Sequence, residues 1–380
     1  MRRLARIPAL AALLLLPDAA TAGPAPLPAP APPLPASLAP TARNQVAVHW
    51  APTLYQETRD ERDLLSAFDF DGDWDGSNNA RNLPRYPARA VIYFTVAETA
   101  THWLVTYLTY HAVDGKSFSG HDHDSEHVTL VVQKDGSPFG RLQAMETRFH
   151  KVLYQYAVQS SGVTNGADDI DGPVHLGDDG RPEVYAQRVG HGLCGGYAPV
   201  SWFDTFALRC KHRERPHIAE RGVIYRYTGR ADVPRSLDDR DVGYALVEIG
   251  ETLWAHARDR GPHATFSGAM DFEGERCVLF RCPRGIGRAF TSRPGRFSTG
   301  MPWEEGGGRG TVKRGEAFFD PALTMWRRLR FPRPFSTGYV HNPYLGVGRF
   351  GGHADEAVAS ASSVSEPAVA SSEDDPKAAR

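Results

Sequence analysis

The residues most able to do chemistry lie in one short run. His121-Asp122-His123-Asp124-Ser125-Glu126-His127 packs three histidines, two aspartates and a glutamate into consecutive positions. The apolar stretch Val128-Thr129-Leu130-Val131-Val132 follows at once. If Glu126 opens that strand, alternation puts Asp124 and Glu126 on one face and Ser125 and His127 on the other. A turn then delivers His121 and His123 beside two carboxylates. Oxygen-rich company with one imidazole suits a hard cation, calcium or magnesium. Two imidazoles and a carboxylate would also serve zinc or manganese. The plain alternative is a solvated polar turn whose histidines pair with its acids. The spacing is not that of a helical His-Glu-x-x-His zinc motif.

A second acidic run, "FDFDGDWDGSNNARN", sets Asp71, Asp73, Asp75 and Gly76 at positions 1, 3, 5 and 6 of a calcium loop. Asn79 falls at position 9 and Asn82 at position 12, where a bidentate glutamate is expected. No helical pattern flanks it, so the expectation is a calcium-binding turn outside the EF-hand fold. The competing reading is an Asp/Gly/Asn turn chosen for backbone freedom, its charge met by Arg81 or Arg85. A third run, "VGHGLCGG", mimics a nucleophile elbow with Cys194 at its centre. A cysteine in an exported chain is expected in a disulfide, and no helix follows. His191 beside it is read either as lining the same cavity as the main cluster or as a buried structural histidine.

The heptapeptide "GHDHDSE" resembles the Gly-His-Arg-His-Asp-Trp-Glu motif of the necrosis- and ethylene-inducing-peptide-like cytolysins. "DSEHVTLVV" is similar to the Gly-Asp-Trp-Glu-His-Val-Thr-Val stretch of the vacuolar protein sorting-associated protein 62 family. The resemblance covers residues 114 to 132, and Ser125 stands where the motif has tryptophan. It implies a β-sandwich with a divalent cation at the base of an acidic cavity. Carried over by position, the ligands are Asp114, His121, Asp124 and Glu126. It also implies a glycan or lipid headgroup as the partner.

Elements must hold these residues in place. "ARAVIYFTVAE" and "THWLVTYLTYH" are rich in β-branched and aromatic residues around a short polar break, which predicts an antiparallel hairpin. "EHVTLVVQKDGSPFGRLQAMET" predicts two strands around Asp135-Gly136. "HKVLYQYAV", "PEVYAQRV" and "RGVIYRYT" continue the series. Helices are few. "LDDRDVGYALVEIGETLWAHARD" shows Val242, Leu246, Ile249, Leu253 and Ala257 at helical spacing, and "FFDPALTMWRRLR" has Asp320 before Pro321 as a helix start. Residues 158–182 and 284–311 read as long Gly-rich loops. The fold expected is mostly β, an antiparallel β-sandwich core with a few appended helices.

The ends bound the compartment. "MRRLAR", a short apolar core and Ala20-Thr21-Ala22 read as a signal peptide over 1–22, which predicts a secreted or periplasmic protein. A Pro/Ala-rich linker over 23–42 precedes the globular domain, 43–352. The Ser/Ala/acidic stretch 353–380 has no aromatic residue to bury and is expected to be a disordered tail. Net charge of −2 gives no electrostatic case for nucleic acid. No apolar run in the mature chain is long enough for a transmembrane helix. Cys194, Cys210, Cys277 and Cys282 are expected to pair in an oxidising compartment, Cys194 with Cys210 and Cys277 with Cys282 among three connectivities. The functional expectation is a binding protein whose cation holds a glycan or lipid headgroup, with action on membranes as one form of that binding. A metal-dependent hydrolase and a scaffold merely stabilised by its cation are the alternatives.

Overall fold

The computed structural model describes residues 41–74, 76–115, 121–150, 152–195, 222–253, 255 and 316–344. The signal-peptide, linker and tail expectations therefore lie outside the described residues, apart from the linker's last two. So do the 284–311 loop, Asp75, Cys210, Cys277 and Cys282. No helix among the described residues is long and apolar enough to cross a membrane.

The chain is mostly β. Its strands are β1 (Thr53–Gln56), β2 (Val91–Thr99), β3 (His102–Asp114), β4 (His121–Gln133), β5 (Arg141–Phe149), β6 (Val152–Ala157) and β7 (Thr164–Asn165). They continue with β8 (Gly172–Pro173), β9 (Glu183–Ala186), β10 (Leu193–Cys194), β11 (Val223–Tyr227), β12 (Val242–Glu248), β13 (Leu329–Arg330) and β14 (Tyr339–His341). Strands β2 to β6 form an antiparallel meander, as their alternating apolar and β-branched residues dictate. The whole sheet runs β10-β9-β1-β11-β12-β2-β3-β4-β5-β6-β8, with β14 also on β2.

The expected antiparallel sandwich needs correcting. The sheet is mixed, because β9–β1, β11–β12, β12–β2 and β6–β8 pair in parallel. The β9–β1 and β12–β2 pairings join segments remote in sequence, and local alternation carries no trace of them. The sheet curls like a half-barrel, bringing its β9–β10 end over β4 and β5. A Cβ at Gly192 would meet the Phe149 ring at 2.7 Å, and one at Gly195 would meet Met145 at 2.7 Å. One continuous core fills the concave side, from Val46 and Leu54 through Ile92, Tyr107, Val128 and Leu130 to Leu193 and Tyr225.

A second correction concerns residues 242–248, within the helix expected from Leu237 onward. The expected helix is instead the central strand β12 across Val242–Glu248. Val242, Tyr244 and Leu246 enter the concave core, while Val247 and Ile249 enter a separate cluster on the other side. A strand buried on both faces is apolar throughout, so residues at helical spacing fall on it without marking a helix. The other expected helix is present at Pro321–Arg328, where Asp320 caps the Leu323 amide at 3.3 Å. It packs Ala322 and Met325 over Ala97, Leu104 and Val131 on the convex side. Residues 158–182 form the expected loop, carrying only short bridges and a 3₁₀ turn.

Candidate functional site

The β3–β4 hairpin sets the frame of the site. Its register pairs Asp114 with His121, Val113 with Asp122, His111 with Asp124 and Thr109 with Glu126. Val128 and Leu130 point into the concave core, so Asp124 and Glu126, of the same parity, belong to that side. His127 lies on the other. Burial, with Arg148 and Arg328 nearby, pushes its pKa down to about 3 and keeps it neutral.

Asp124 meets residues from two distant segments. Its Oδ2 lies 2.8 Å from His191 Nδ1, and His191 Nε2 lies 3.2 Å from Asp63 Oδ1. His191 is fully buried between the two carboxylates. Burial opposes its charge, but the hydrogen bonds and charges of Asp124 and Asp63 prevail and raise its pKa to about 9. Asp63 ends a 3₁₀ turn, Glu61–Asp63, closed by a capping box with Asp60. Its carboxylate also accepts the amides of Arg59 at 2.6 Å and Val189 at 2.5 Å. Burial works against ionisation there too, yet His191 and the amides hold its pKa at about 2.

Glu126 is partnered by cation-capable groups of β5 and the residue after it. Arg148 Nε stands 3.3 Å from Oε2, and His150 presents its amide at 2.8 Å and its Nδ1 at 3.3 Å to Oε1. Asp114 closes β3 where the chain abuts the Asp60–Asp63 turn. The Gly115 amide donates to the Val189 carbonyl at 2.9 Å, and a Cβ there would meet Arg59 at 3.0 Å. His121 is placed by its backbone only.

His111 is the residue whose chemistry was least expected. It stacks on His191 with ring centres 3.8 Å apart. The Gln56 amide nitrogen donates to the carbonyls of Glu57 and Gln187, which turns Gln56 Oε1 towards His111 Nε2 at 3.1 Å. Nε2 therefore carries the proton, and Nδ1 is a bare lone pair, buried and with no hydrogen-bond partner. Burial and the neighbouring His191 charge keep the ring neutral, its pKa well below the ordinary value. An imidazole anchored through one nitrogen to a carbonyl, with the other bare, is built as metal-ligating histidines are. The donor types thus fit a divalent cation. The contacts described for Asp124 and Glu126 go to His191, His150 and Arg148. Among the described residues no group of three or more His, Cys, Asp or Glu side chains is gathered to hold a metal.

Backbone strain converges on the same place. The non-glycine residues with positive φ among the described residues are His123 (56°), His150 (56°), Val189 (75°) and His191 (52°). Each either contacts Asp63, Asp124 or Glu126 or adjoins one of them. Such conformations cost about 1–3 kcal/mol apiece and gather where function over-determines the backbone.

The strand and the face shared by Asp124 and Glu126 are legible in sequence, and His191 is a candidate there for the same cavity; the turn expected at His121–His123 is instead the start of β4, paired with β3 from Asp114. Asp63, His111, Arg148 and His150 were missed. Only His111 carried a signal, its parity on the strand opposite Asp124. Cys194 is in a disulfide, so it offers no nucleophilic thiol, and its partner lies outside the described residues. At the second acidic run, Asp71 accepts from Asn82 at 2.6 Å and Asp73 from Asn78 at 3.2 Å.

No family model matches the chain, and no curated protein matches it. Solved structures do. One is described as a toxin fold for microbial attack and plant defense, with 18% identity over 44% of this chain and 72% of that one, TM-score 0.29. NLPPya in complex with glucosamine is 15% identical over 43% and 72%, TM-score 0.29. Necrosis and Ethylene inducing Protein 2 from the causal agent of cocoa's Witches Broom disease is 15% identical over 41% and 65%, TM-score 0.25. At these scores the overlap is partial.

Proposed function

We propose that this is an exported binding protein that takes a glycan or a lipid headgroup at a divalent cation held by Asp114, His121, Asp124 and Glu126. The observation that supports the reading is the gathering of strained residues around buried carboxylates drawn from two segments. A fold stabilised only by its core has no need of four left-handed residues at one spot. The cation, calcium or magnesium by the oxygen-rich donors, would supply open coordination positions for vicinal hydroxyls or phosphate oxygens. The chain's own residues do the rest. Asp63 and His191 orient the Asp124 carboxylate, and Arg148 and His150 orient Glu126. His111 offers a further bare nitrogen beside Asp124. Export through residues 1–22 and the Cys194–Cys210 and Cys277–Cys282 pairings belong to the same proposal.

Calorimetric titration of the purified mature protein with calcium, magnesium, manganese and zinc tests it. At least one should bind, and Glu126→Gln should weaken that binding about tenfold or more, since affinity follows ligand charge. Amino sugars and anionic headgroup vesicles should then bind only with the cation present. If the native protein binds none of the four ions, the proposal is wrong.

A further inference from the structure

The Asp71–Asn82 turn was left aside by that reading, and it holds an unmet electrostatic need. Asp71 is only 7% exposed. One of its oxygens accepts from Asn82 Nδ2, and Oδ1 is buried with no hydrogen-bond partner. Asn78 donates through Nδ2 to Asp73, and its own Oδ1 is likewise buried without a donor. No ion pair among the described residues links Asp71 to Arg81 or Arg85. A buried carboxylate oxygen and a buried amide oxygen, both bare of donors, sit in one turn that also carries Asp73. Oxygens without N–H or O–H partners are what a hard cation satisfies, and desolvated acceptors left alone cost about 1–3 kcal/mol each.

We propose that this turn is a calcium site, separate from the β3–β4 cluster, with Asp71, Asp73 and Asn78 as oxygen ligands. The ion has a second consequence, because the turn is tied to the hairpin. Asn79, next to Asn78, donates to Tyr110 Oη at 2.9 Å, and Tyr110 Oη lies 2.7 Å from His123 Nδ1. Phe68 stacks on both Trp74 and His123, with centroids 5.6 and 5.5 Å away. Calcium in the turn would hold Asn79 and Phe68 in place, and through them the strained His123 that precedes Asp124.

Trp74 lies inside the turn and is a built-in reporter. Terbium, a calcium mimic, should emit when tryptophan is excited in the full mature chain, and calcium should quench the emission. Asp71→Asn should weaken terbium binding about tenfold or more, and Trp74→Phe should abolish the emission. Glu126→Gln should leave both unchanged, which separates this site from the one proposed above. Asp73 is exposed, so Asp73→Asn provides a variant that keeps the fold should Asp71→Asn not. Unaltered terbium affinity in Asp73→Asn, emission that survives Trp74→Phe, or emission lost only in Glu126→Gln would each overturn the proposal.

Discussion

Asp124 and Asp71 are both buried carboxylates, yet their charge is met in opposite ways. Asp124 has an internal cation. His191 bridges it to Asp63, and the three groups form a closed unit of two negative charges and one positive. Asp71 has amide donors only. Burial raises its pKa, and Asp73's charge adds to this against the hydrogen bond from Asn82. The first arrangement is stable without any ion from outside. The second leaves one carboxylate oxygen buried with no donor.

The sharpest break of this contrast is His191→Ala. Removing the imidazole leaves Asp63 and Asp124 buried without their shared cation, at an expected loss of about 3–5 kcal/mol. Urea unfolding should show it. A loss under about 1 kcal/mol would mean that the bridge is not the counter-charge described here.

A smaller effect follows from pH. His191 stands at about 9 in the folded chain against 6.5 ordinarily. A raised folded value contributes stability that is fully present below the unfolded value and lost as pH rises through about 9. Asp63, at about 2 against 3.8, works the other way, its contribution present above 3.8 and lost as pH falls through about 2. Between pH 6.5 and 9 stability should fall by up to about 1.4 kcal/mol per unit, and this slope should vanish in His191→Ala. Unfolding curves across that range decide it; a flat profile in the native protein would remove His191 as a charged group.

The smallest effect concerns the tie between the two regions. Tyr110→Phe removes the hydroxyl shared by Asn79 and His123, for about 1–2 kcal/mol. Its more telling result is thermodynamic coupling. Calcium should stabilise the native chain's hairpin amides against hydrogen exchange and should do so less in Tyr110→Phe. Equal protection in both would show that the turn and the hairpin act independently.

The strand after Asp124 is readable in the sequence because alternation is local. "EHVTLVV" fixes which side Asp124 and Glu126 share, and the strand register agrees. The helix start at Asp320-Pro321 was readable for the same reason. What could not be read is whatever depends on distant partners. Asp124 and His191 are 67 positions apart, and Asp63 and His191 are 128 apart. Nothing in "RDERDLL" marks Asp63 as a site residue. The central strand β12 was misread because burial on both faces erased its period, and the parallel pairings of β12 and β9 left no local mark.

The placement of β12 beside β2 also sets an order of assembly. Strands β2 to β6 each pair with their neighbour in sequence, so they close short loops and can form early. The β12–β2 pairing joins Ala245 to Val91, and the β1–β9 pairing joins Thr53 to Glu183, both across long stretches of chain. Such contacts come late. Asp124 belongs to the early part, whereas Asp63 and His191 flank strands of the late part. On that order the Asp124 carboxylate would lack His191 and Asp63 until the β1–β9 end of the sheet docks, and a chain halted before then would expose it.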